Sequence, residues 1–277
     1  MKNEKEIILR QAINSIITKL MERIMERIME RVLYKDPFNK EAHQAKKPLY
    51  AALVPDEIFK GSHFERRFVT PFGGVWEKLC VAAATASMGF AEQSYTVNGQ
   101  IREGRLRRIQ EILNKLEHQN GTEKRQPNFE KEIEYIKKGK GELIPITIIC
   151  DVFIRNEATG ESFAFEIKGP LPNSDQTKVS KEKIFKLFAM EEPQITKAFF
   201  ALPYNPYGTK AEYNWSFPKR WFDMNNSPIV LIAEEFWDFI GGVGTYELFI
   251  DEVNQLGKHY KERIYKEFLG IEPPNID

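Results

Sequence analysis

The chain has 277 residues, with 40 basic and 40 acidic side chains, a formal net charge of zero and a pI near 6.9. That length buries the core of an α/β domain with an appended helical part, and the balanced charge excludes a uniformly basic coat for nucleic acid, so any polyanion-binding surface must be local. Two cysteines exclude a disulfide scaffold, and no leader-like or membrane-length apolar run occurs; a soluble, cytoplasmic protein is expected.

Residues 4–34 carry a helical pattern in which Ile7, Ile8, Ile13, Ile16, Ile17, Leu20, Met21, Ile24, Met25, Ile28, Met29, Val32 and Leu33 are apolar and form a stripe. Met-Glu-Arg-Ile repeats at 21 and 25, and a period of four drifts slowly round a helix of 3.6 residues per turn. Such a stripe most commonly packs on its own domain; a dimer contact is the sharper reading. Lys35 to Pro55 is a polar, proline-marked connector, so residues 1–60 read as an N-terminal helical segment and connector, and 61–277 as the main domain. In that domain the pattern predicts helices near 73–93, 103–118 and 127–138, strands at 146–155 and 162–168, a helix near 177–191 and a strand at 195–202. Tyr204 to Pro228 lacks a period and reads as a long ordered loop, for which base recognition is expected. Pro228–Ala233 reads as another buried strand, with closing helices at 234–240 and 245–268. The predicted fold is α/β, a central mixed β-sheet flanked by helices.

The chemistry gathers at the first strand pair. Glu166-Ile-Lys168 is the one place where an acid stands two residues before a lysine, although composition alone gives about four such spacings. Alternation along Ser162-Phe-Ala-Phe-Glu-Ile-Lys168 puts Glu166 and Lys168 on the face of Ala164, with Phe163, Phe165 and Ile167 opposite. If Asn156 pairs with Glu161 across a four-residue loop containing Gly160, paired positions sum to 317 and Asp151 falls opposite Glu166. Asp151 interrupts an apolar run from Ile148 to Ile154, and a lone buried acid is costly unless paired or metal-bound. The bland alternative is a surface hairpin with solvated acids, and a one-residue slip in register sends Asp151 to the other face.

An Asp on one strand, Glu-x-Lys on the next and a helix after it resembles the PD-(D/E)XK nuclease superfamily. The resemblance extends over most of residues 60–270 to type II restriction endonucleases, in particular the TdeIII-like group. Phe64-Glu-Arg-Arg-Phe-Val-Thr-Pro-Phe-Gly-Gly-Val-Trp-Glu77 is similar to the segment leading into their first core helix, and Glu166-Ile-Lys-Gly-Pro-Leu-Pro-Asn173 to the catalytic strand and its sequel. Pro203–Gly208 and Glu235–Gly242 resemble later blocks, while Cys150 stands where the superfamily name has a proline. The resemblance implies a restriction-endonuclease-like core in which Asp151, Glu166 and the carbonyl of Ile167 ligate a divalent cation. It also implies that Lys168 positions the attacking water and that Glu77 is the first-helix glutamate near the metal. Oxygen ligands suit Mg2+, with Mn2+ as a substitute.

No competing centre appears. His43, His63, His118 and His259 are scattered; Cys80 and Cys150 lie in apolar contexts; Gly241-Gly-Val-Gly244 lacks the Lys-Ser/Thr of a phosphate loop. Candidate contacts to double-stranded DNA are Asn173, Gln176, Lys178, Lys181 and Lys183 on the helix after the active strand, set against a solvated helix face with Val179, Ile184, Leu187 and Phe188 toward the core. Arg102, Arg105, Arg107 and Arg108 form a second basic cluster. Three readings follow: a Mg2+-dependent type II restriction endonuclease acting as a homodimer on a short palindrome such as GGNCC, functionally paired with a DNA methyltransferase; a structure-selective repair or recombination nuclease of the same fold; or a non-catalytic DNA-binding or interaction protein.

Overall fold

The computed structural model describes residues 2–72, 74–118 and 126–274, with residues 2–10 and Phe72 by backbone alone. In chain order the elements are α1 (Lys2–Glu30), α2 (Lys40–Lys46), α3 (Pro48–Leu53), α4 (Asp56–Phe72), α5 (Val75–Met88), β1 (Gly89–Arg102), α6 (Glu103–Glu117) and α7 (Phe129–Lys137). They continue as β2 (Leu143–Asn156), β3 (Ser162–Ile167), α8 (Ser174–Phe188), β4 (Lys197–Leu202), α9 (Ser216–Lys219), β5 (Val230–Ile232), α10 (Glu234–Gly241) and α11 (Thr245–Arg263). The expected helix start at Gly73, and the side chains of Ile7 and Ile8, lie outside the described residues.

The chain forms two compact units, one from residues 1–13 and 76–246, the other from 14–75 and 247–277. This division differs from a cut at residue 60: the C-terminal helix α11 belongs with the N-terminal helices. Within that unit Asn14 Nδ2 and Thr18 Oγ1 both donate to the Glu252 carboxylate, at 2.9 and 2.6 Å, and Tyr260 donates to Glu26 at 2.9 Å. Along α1, Ile17, Met21, Ile24, Met25, Ile28, Met29 and Val32 are buried, Leu20 and Leu33 are half-buried and Ile16 is exposed. The polar connector at 35–55 contains the short helices α2 and α3, started by the Asn39 cap and by Pro48 at the first helical position.

The other unit is built on a mixed five-stranded sheet in the order β1-β2-β3-β4-β5. The first three strands are antiparallel, and β3, β4 and β5 run parallel. On one face, Ile184, Phe185 and Leu187 of α8 and Ile109 and Leu113 of α6 pack with Ile148, Cys150, Ala164 and Phe200. On the other, Phe163, Phe165 and Phe199 meet Phe239 of α10 at ring separations of 5.0–6.1 Å. Strand β3 is thus covered on both sides, and the chemistry at its end is held by packed aromatic and aliphatic layers. Strand β1 was not anticipated: the helix predicted to residue 93 stops at Met88, and Gly89 turns the chain with φ of 101°.

Candidate active site

The hairpin forms in the expected register. Asn156 N–H donates to the Glu161 carbonyl at 2.8 Å, Gly160 takes the left-handed conformation (φ 75°), and the pairs Arg155–Ser162 to Val152–Phe165 all sum to 317. The ladder then stops one pair short of Asp151–Glu166. Beyond it, Asp151 Oδ2 accepts the backbone N–H of Ile167 at 2.9 Å, a donor that a continued ladder would have used. The side chain therefore replaces a strand–strand hydrogen bond at the point where β2 and β3 separate.

A second irregularity lies across the sheet. The β1–β2 ladder skips the pair Ser94–Asp151, and Ser94 has φ of 55°. Tyr95, in register with Cys150, stacks on Phe153 (4.2 Å, 17°), although strict alternation puts Cys150 and Phe153 on opposite faces. The alternation slips at Asp151, and a non-glycine residue held in the left-handed region costs about 1–2 kcal/mol. Ser94→Gly is expected to raise unfolding stability by up to about 1 kcal/mol, read as a higher thermal midpoint; an unchanged or lower midpoint would show that the serine bears no strain.

Glu166 is 1 % exposed. Lys168 Nζ donates to Asp151 Oδ2 and reaches Glu166 Oε2 at 3.5 Å. From α8, Lys183 Nζ stands 2.9 Å from Glu166 Oε1 and 3.9 Å from Asp151 Oδ1, and Ser180 Oγ donates to Glu166 Oε2 at 3.2 Å. Glu77, on the first turn of α5, accepts from Gln93 of β1. Burial raises the Glu77 carboxyl above its ordinary value and Asp151 adds to this, against the Gln93 hydrogen bond and the nearby Lys168 and Lys183 ammoniums. Glu166 is likewise pushed up, first by burial and then by the charge of Asp151, while Lys168 and Lys183 pull it down. For Lys168, burial acts to lower the ammonium, but Glu166 and Asp151 together hold it above its ordinary value. The Cys150 thiol is pushed up to about 12 by burial and then by Glu166, so it stays protonated and offers no thiolate ligand.

Asp151, Glu166 and Lys168 thus stand together, with Glu77 close enough to feel their charges. Sequence reasoning missed Ser180, Gln93 and the place of Lys183 inside the acid cluster; the three-residue spacing of Ser180 and Lys183 on one helix was the available signal. The other DNA candidates separate. Asn173 and Gln176 form the reciprocal cap of α8, and Lys178 is paired with Glu117 at 2.6 Å. Lys181 faces inward, 2 % exposed, with Nζ 2.7 Å from Glu132 and donating to the Trp221 carbonyl, whereas Val179, expected on the core side, is exposed. No face of the Lys181 ammonium is left for a phosphate, which corrects its assignment. Arg102 and Arg105 both pair with Glu191, and Arg107 with Glu103.

The loop at 203–228 is tied to the exit of β3. Tyr213 and Trp215 donate to the carbonyls of Pro170 and Pro172 at 2.8 and 2.9 Å, and Tyr204 lies 5.7 Å from Trp76, next to Glu77. Its Asn205, Lys210, Asn225 and Asn226 side chains hydrogen-bond within the loop or to its flanks, so they build it; Tyr204, Tyr207, Phe217 and Arg220 face outward.

Among the described residues, no group of three or more His, Cys, Asp and Glu side chains is gathered to hold a metal ion. The donor chemistry still fits a hard divalent cation. Two carboxylates, one of them pushed up by burial and then by its neighbour's charge, stand beside the backbone of Ile167, and all of these donors are oxygens of the kind such an ion prefers.

The model of the HinfI type II restriction endonuclease family matches residues 9–257. The chain belongs to the HinfI family of type II restriction endonucleases. It is similar to two type II restriction enzymes of Herpetosiphon aurantiacus over 233 residues: HgiBI at 26 % identity and HgiEI at 27 %, each alignment covering 80 % of this chain and 81 % of the relative. It is also 26 % identical over 201 residues to the type II restriction enzyme MjaII of Methanocaldococcus jannaschii, covering 65 % of this chain and 50 % of that enzyme. This HinfI-family protein is therefore a site-specific deoxyribonuclease of a restriction–modification system, with the restriction-endonuclease-like α/β core that the resemblance implied, and the non-catalytic reading falls. Among its described residues no helix is long and apolar enough to cross a membrane.

Proposed function

We propose that this HinfI-family enzyme hydrolyses phosphodiester bonds of double-stranded DNA at Asp151, Glu166 and Lys168, with Mg2+ as cofactor and Mn2+ as a substitute. The observation that carries the reading is the Lys168 ammonium set against two carboxylates, one fixed by the Ile167 N–H and the other by Ser180 and Lys183. Asp151, Glu166 and the carbonyl of Ile167 hold the cation. That carbonyl lies on the same lateral side of β3 as the Ile167 N–H, the side facing Asp151. When bound, a hard divalent ion offsets charge on the phosphate and lowers the pKa of its water. The Lys168 ammonium, set against both acids, orients the attacking water and stabilises developing negative charge on the scissile phosphate. Glu77 contributes a further acid at the edge of the cluster.

Substrate binding draws on local features, as the zero net charge requires. The start of α8, fixed by the Asn173–Gln176 cap, turns the positive end of the helix dipole, and Lys178 a charge, toward the DNA backbone. The outward side chains Tyr204, Tyr207, Phe217 and Arg220 of the tethered loop read bases beside the cut. The site is a short palindrome of the GGNCC kind. Two identical half-sites ask for two identical subunits, so the enzyme works as a homodimer, in the cytoplasm, beside a methyltransferase that protects host DNA.

Incubating the purified protein with plasmid DNA and Mg2+ should give discrete fragments of reproducible size. Preference for branched substrates would move the enzyme to repair or recombination, and DNA left intact under every divalent metal would overturn the catalytic assignment of these residues.

A further inference from the structure

We infer that Lys183 occupies the place of a second cation, so that each active site takes one divalent ion. The inference rests on the reading of Asp151 and Glu166 as the metal-holding pair. In two-metal sites the ions lie about 3.5–4 Å apart and act together on the attacking and leaving oxygens. Here two ammoniums stand against the carboxylates: Lys168 Nζ pairs with Asp151 Oδ2 and lies 3.5 Å from Glu166 Oε2, and Lys183 Nζ lies 2.9 Å from Glu166 Oε1 and 3.9 Å from Asp151 Oδ1.

Its anchorage separates it from Lys168. Lys183 stands on α8, whose Ile184, Phe185 and Leu187 are buried in the core, one turn after Ser180, which donates to the other oxygen of Glu166. The helix therefore holds both Glu166 oxygens, whereas Lys168 stands on the residue after β3, where the resemblance places the catalytic lysine.

The test is Mn2+ titration of the full chain, followed by the electron paramagnetic resonance signal of free Mn2+. The wild type should bind one ion per chain. Lys183→Ala should open the vacated position and bind two, while Lys183→Arg keeps one. In parallel, plasmid cleavage by Lys183→Ala at limiting Mn2+ should fall about 10–100-fold and recover at high Mn2+ with a steeper concentration dependence. Two ions on the wild type would overturn the inference, as would one ion on Lys183→Ala with unchanged cleavage. No binding by the wild type beyond that of Glu166→Gln would instead remove the metal-holding reading beneath it. Should Lys183→Ala melt early, the wild-type stoichiometry and Lys183→Gln decide.

Discussion

Glu166→Gln is expected to cut DNA at least about 10³-fold more slowly than the wild type while its thermal midpoint stays level or rises. The loss of activity follows from the position of the carboxylate, which contacts Lys168, Lys183 and Ser180 together. Glutamine preserves shape and one acceptor oxygen but removes the charge that a divalent ion and Lys168 both need. The stability half follows from linkage. The Glu166 carboxyl is raised above its ordinary value near 4.5, chiefly by burial and then by Asp151. A raised folded-state value means that its favourable contribution is complete below about pH 4.5 and is lost as pH rises through the folded value. In its ionised form the buried carboxylate therefore weighs against the fold, and glutamine, which cannot ionise, removes that cost. Lys168 loses one partner but keeps Asp151. Melting in the absence of metal, beside plasmid cleavage, reads both effects. A midpoint many degrees lower would mark Glu166 as a structural keystone, and near-normal cleavage would remove it from the chemistry.

The parts of the site that were legible in the sequence are those fixed by neighbours along the chain. Alternation in 162–168, a glycine at the turn and the two-residue spacing of Glu166 and Lys168 set the register of one hairpin, and the register set the acids beside each other. What stayed hidden depends on distant partners. Strand β1 carries Glu92, Thr96, Asn98 and Gln100 on one side, and its inward set of Gln93, Tyr95, Val97 and Ile101 is too mixed to outweigh the helical run before it. Helix α4 contains Gly61 and, one residue before its end, Pro71, both poor helix signals, and its formation rests on packing. The arginines at 102 and 105 look like a DNA-binding cluster until Glu191 arrives from far along the chain. Lys181 and Lys183 are two residues apart, so a helix points them to different sides, one into the core and one into the acid cluster. Composition cannot say which.

Lys181 therefore gives the clearest separation of structure from catalysis. Its ammonium is buried, ion-paired with Glu132 at 2.7 Å, hydrogen-bonded to the Trp221 carbonyl, and flanked by the rings of Phe185 and Phe222 at 4.8 and 5.1 Å. Burial lowers its pKa while Glu132 acts the other way, and the direction that prevails is down. Removing one member of such a pair leaves the other charge desolvated, a loss of about 3–5 kcal/mol. Lys181→Ala should unfold at correspondingly lower denaturant concentration, with the Glu132 carboxylate and the Trp221 carbonyl left unpartnered. DNA affinity of the fraction still folded should be unchanged, because the side chain offers nothing to a phosphate. Replacing both partners with apolar residues of similar size, Lys181→Met with Glu132→Leu, should recover most of the loss, since neither charge is then stranded. A Lys181→Ala enzyme with normal stability and weakened, less salt-sensitive DNA binding would reverse the assignment and return this lysine to the DNA surface.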